Sequence, residues 1–116
     1  MAEPYGPARQ RAAERALSSG EAVEKSFAVL YDKINLKGLT GEKEHDEAIL
    51  AFLKDEHNGW HEYSGARCNL EVHIFVYPSD SLLARQEFNS CIARMNKERF
   101  ERIDEIKKGY FSQVSP

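Results

Sequence analysis

The chain has 116 residues, of which 41% are hydrophobic and 30% charged, with a formal charge of −3. That suits one folded domain and excludes a disordered or low-complexity polymer. The near-neutral sum gives neither the basic excess of a nucleic-acid binder nor the acidic excess of a polyanion mimic. Its apolar runs, such as Ile74-Phe75-Val76-Tyr77, are far short of the about 20 residues a membrane-spanning helix needs.

Residues 1–17 read as a flexible tail, with Pro4, Gly6 and Pro7 opposing regular structure and Leu17 the only large apolar residue after Tyr5. Arg9, Arg11 and Arg15 interrupt any leader-like apolar stretch, so the expected location is cytoplasmic. Residues 18–116 are expected to form a single α+β domain. Ser18 and Glu21 have capping-box spacing. Val23, Phe27, Leu30 and Ile34 then mark one helical face, and Gly38 is placed to end the helix in a left-handed conformation. Thr40 can cap a second helix, whose acidic start runs from Glu42 to Glu47 and whose apolar stripe is Ala48, Ile49, Phe52 and Leu53. The short linker makes these two an antiparallel helical hairpin, and Asn58-Gly59 is read as the stop.

The period then changes to two. Leu70, Val72, Ile74 and Val76 alternate with Glu71, His73, Phe75 and Tyr77, and Trp60 to Tyr63 is a shorter run before a Ser64–Arg67 turn. This predicts a central antiparallel β-hairpin ended by Pro78. Ser79 or Asp80 can cap a long C-terminal helix from Leu82 to about Lys108, with Phe88, Ile92, Met95, Ile103 and Ile106 along one side. Gly109 is its expected stop, and residues 109–114 are a possible further strand. A 27-residue helix is about 40 Å long, whereas a round domain of this size is about 35 Å across; the helix should therefore outrun its own domain and need a partner.

The charge is unevenly spread. Residues 21–84 carry six basic against twelve acidic side chains, a net −6, and residues 85–116 carry seven against five, a net +2. Complementary charge of this kind steers association.

No glycine-rich phosphate loop, nucleophile elbow or HExxH motif is present. Glu42 and His45 have Glu-x-x-His spacing, but di-iron bundles use that pair twice. Cys68 and Cys91, 23 positions apart, are expected to be free thiols in a reducing compartment, and Cys68 lacks the surroundings of a nucleophile. The leading expectation is therefore a non-enzymatic protein–protein interaction module: a regulator, inhibitor or accessory subunit, acting as a homodimer and without a cofactor. Its contact residues would be the aromatic anchors Trp60, Tyr63, Phe75 and Tyr77, with Arg94, Arg99 and Arg102 on the last helix. One alternative is zinc held by His57, His61, Cys68 and His73, whose residue types fit although the paired-cysteine spacing of most structural sites is missing. Another is nucleic-acid binding through the basic last helix, which its interleaved acids oppose.

Overall fold

The computed structural model describes residues 6–76 and 81–114. They form three helices, α1 (Gly6–Lys37), α2 (Lys43–Phe75) and α3 (Leu82–Val114), with no strand among the described residues. The expected α+β architecture is thereby corrected to an all-α one. The helices have 32, 33 and 33 residues, each about 50 Å long at 1.5 Å per residue, and the molecule measures 61 × 22 × 17 Å. The last helix does not outrun a round domain. The domain is itself a rod, and all three helices run its length.

Asn96 on α3 meets Ala16 and Ser19 on α1, and Arg85 and Asn89 lie beside Gly6 and Pro7. α1 and α3 are therefore parallel neighbours. α2 runs the opposite way, with Glu56 opposite Arg99 and Cys68 opposite Cys91.

The β-hairpin expectation failed for a specific reason. The residues that α2 buries are Leu50, His57, Ser64, Cys68 and Val72, which fall on one helical face but are mostly not apolar. Leu70 and Ile74 point to solvent on the far side, while Val72 between them points inward. Apolar residues on two opposite helical faces produced an alternation that mimics a strand. Asn58 and Gly59 lie inside α2, where a glycine weakens a helix without ending it.

Other boundaries moved similarly. Residues 6–17 continue α1 without a break, and Ala12 is buried. The Ser18–Glu21 pair sits mid-helix rather than at a cap, with the Ser18 and Ser19 hydroxyls donating to carbonyls three residues back. Gly38 does end α1, with φ of 71° and its amide donating to the Ile34 carbonyl. Thr40 is not the cap of α2, which follows Glu42. Instead the Asp46 carboxylate reaches back to accept from the Leu39 and Thr40 amides and the Thr40 hydroxyl. The backbone bond from Thr40, foremost, holds that carboxyl below its usual value. Ser81 caps α3 by accepting from the Ala84 amide. Gly109 lies within α3, so residues 109–114 are helical rather than a strand. Tyr77, Pro78, Ser79 and Asp80 lie outside the described residues.

The largest buried cluster is Val23, Leu30, Ile34, Leu50 and Ile103, with Phe27, Leu53, Trp60 and Ile106 packed against it. It occupies the end of the rod nearest the α1–α2 turn. Toward the other end the buried residues are Ala12, Ala84, Val72 and the disulfide pair Cys68–Cys91. The free thiols expected for this chain are thus corrected to a bond. Such bonds persist mainly in oxidising compartments, which weighs against the cytoplasmic expectation. No helix among the described residues is long and apolar enough to cross a membrane.

Candidate functional site

Midway along the rod a polar cluster joins all three helices. His57 of α2 is buried between Phe27 and Trp60, its ring stacked on Phe27 at 3.9 Å and on Trp60 at 5.7 Å. Its Nε2 lies 3.1 Å from Glu24 Oε1 of α1, and His61, one turn along α2, lies 2.6 Å from the same oxygen. On the far side of the ring, Arg99 Nη2 of α3 is 3.1 Å from His57 Nδ1. Arg99 is only 4% exposed. It also forms a two-pronged pair with Glu56, at 2.7 and 2.6 Å, and lies over the Trp60 ring.

A guanidinium can only donate, so His57 Nδ1 accepts and the ring proton sits on Nε2, donated to Glu24. Burial foremost, with a smaller contribution from the Arg99 charge, holds His57 below its ordinary pKa against the pull of Glu24. Burial raises the Glu24 carboxyl, but the hydrogen bonds from His57 and His61 outweigh it and leave it below its usual value. The Arg99 hydrogen bond does the same for Glu56.

Glu24, His57 and His61 place three metal-type ligand atoms within 4.8 Å of one another. The ligand types suit zinc. The protonation pattern does not, because a neutral imidazole binding through Nε2 must carry its proton on Nδ1, where Arg99 already donates. The sequence-derived zinc set is not brought together. Only His57 and His61 meet, while Cys68 is in the disulfide and exposed His73 bonds its own helix at the Asn69 carbonyl. Glu24 was missed because nothing in the sequence ties an α1 carboxylate to histidines 33 and 37 positions later.

The expected partner contacts divide. Trp60 packs on the core and Arg99 is turned into the bundle. Arg94 is exposed and pairs with Glu71, and Arg102 pairs with Glu105. Phe75 is exposed at the end of α2. Tyr63 belongs to a larger feature. Phe52, Tyr63, Leu70 and Ile74 are 72%, 56%, 57% and 61% exposed, and at 100° per residue they lie within about 40° of one line along α2. Gly59 and Ala66 fall on the same line, opposite the buried face of α2. The spacings of 11, 7 and 4 were legible in the sequence as a helical seam, but only once α2 was known to be one helix. Comparison with protein-family models, characterised proteins and solved structures finds no match.

Proposed function

We propose that this protein acts by contact rather than by chemistry, as a protein–protein interaction module, and that its binding surface is the outer face of α2. The observation that carries this reading is the alignment of Phe52, Tyr63, Leu70 and Ile74, all more than half exposed, along one line about 33 Å long. Single exposed apolar residues are ordinary on a protein surface, whereas several aligned along one face of a helix suit helix-against-helix recognition. The polar cluster supports the reading indirectly. Its members are engaged with one another across the three helices, which fixes α2 in the rotation that turns this row outward. The Cys68–Cys91 bond supports an oxidising compartment as the working environment of this reading.

A photo-crosslinking amino acid at Ala66, on the row, tests it against the same probe at Asp32, an exposed α1 position. The expected result in the native host is a discrete protein adduct from position 66 that Leu70→Glu abolishes. Equal labelling from both positions, or insensitivity to Leu70→Glu, overturns the reading.

A further inference from the structure

We infer that the outer face of α2 binds a second copy of this chain, seated in the groove between α1 and α3, so that copies associate head to tail. This rests on the contact surface proposed above and names its partner. The groove has no α2 residue in its lining and lies on the side of the α1–α3 pair turned away from α2. Ala12, Ala22 and Ala93 keep its walls low, and Phe100, 43% exposed, stands in it as an apolar contact. A low-walled groove of this kind admits large side chains at helical spacing, which is what the α2 row offers.

Charge decides among the occupants. The row is bordered on one side by Asp55 and Glu62. On the other, Glu56 is held by Arg99 and Arg67 by Glu71. Pairing two α2 rows antiparallel about a two-fold axis sets the Asp55–Glu62 edge against itself, and like charges across a helical interface disfavour it. The groove carries the opposite net sign, with Arg15, Arg94 and Lys97 in its lining against Glu87, and Arg94 also pairs with Glu71 of α2. The acidic border of the row and the basic lining of the groove are thus complementary. Row and groove face in opposite directions, so the contact is heterologous and does not close at two copies.

Sedimentation velocity of the purified oxidised chain from micromolar to hundreds of micromolar tests this. The expected result is growth past two copies as concentration rises. Leu70→Glu (row) and Ala22→Glu (groove) should each weaken association at least tenfold and leave monomers with unchanged helical circular dichroism. An equimolar mixture of the two should form a species of two chains, because each variant keeps the surface the other lacks. Lys97→Glu replaces Ala22→Glu if the latter misfolds. A wild-type chain that stays monomeric, one that stops at a dimer, or a variant mixture that fails to pair overturns the inference. The crosslink from Ala66 to a different host protein would stand independently of that failure.

Discussion

At the turn end of the rod, Val23, Leu30, Ile34, Leu50 and Ile103 meet from all three helices. At the other end the buried residues of α1 and α3 include Ala12 and Ala84, and α2 is held to α3 by Cys68–Cys91. Burying a branched side chain contributes about 1.5–3 kcal/mol, and a methyl group about 0.8 kcal/mol. The small-residue end lets α1 and α3 approach closely but leaves α2 little apolar surface to hold. A covalent bond there replaces what packing supplies at the turn end. The same economy explains the exposed row: in a rod only 17 Å thick in its least dimension, a helix has one inward face, and α2 spends part of its apolar content on the other.

Four variants break or sharpen this contrast. Leu30→Ala, at a fully buried site among branched neighbours, should destabilise the protein by about 2–5 kcal/mol. Chemical denaturation measures it, and amide exchange should rise along all three helices because the main core is lost. Cys68→Ser with Cys91→Ser removes a link closing a 23-residue separation and should cost about 3 kcal/mol. Here exchange should rise first in residues 61–75 and 82–92. Uniform acceleration in both variants would mean the two ends unfold as one unit and the contrast is only geometric.

The third concerns pH. Burial holds His57 below its ordinary value of 6.5, so the unfolded chain takes up that proton first. Stability is therefore full above about 6.5 and falls as the pH drops from there to the folded value. Glu24, Glu56 and Asp46 are held below their ordinary values, and their contribution is lost at lower pH, as each protonates in the folded state. His57→Gln should flatten the melting temperature between pH 7 and 5.5 while leaving the more acid loss in place. An unchanged slope would assign that window to other groups.

The smallest effect has the opposite sign. Gly59 sits inside α2 with nothing within 4 Å of an added Cβ, so Gly59→Ala should stabilise by about 0.5–1 kcal/mol. Gly38→Ala would not, because φ is positive there and the new Cβ meets the Asp46 carboxylate.

The α1 stripe from Val23 to Ile34 and the glycine stop at Gly38 were readable because Val23, Leu30 and Ile34 share one buried face at helical spacing. The long last helix was readable because no proline or glycine interrupts it before Gly109, although Leu82, Leu83 and Phe100 face outward. α2 was not readable beyond Gly59, since its buried positions are His57, Ser64 and Cys68 while Leu70 and Ile74 face solvent. Of the candidate site, the sequence offered Trp60, Tyr63 and Arg99 as contact residues and His57 and His61 as possible ligands. Tertiary structure decided their roles. It joined both histidines to Glu24, set Arg99 against His57, and turned Tyr63 outward beside Phe52, Leu70 and Ile74. Periodicity reports which residues share a face of one helix. Which face turns inward is settled only by what another helix brings to it: here a guanidinium, a carboxylate and a sulfur.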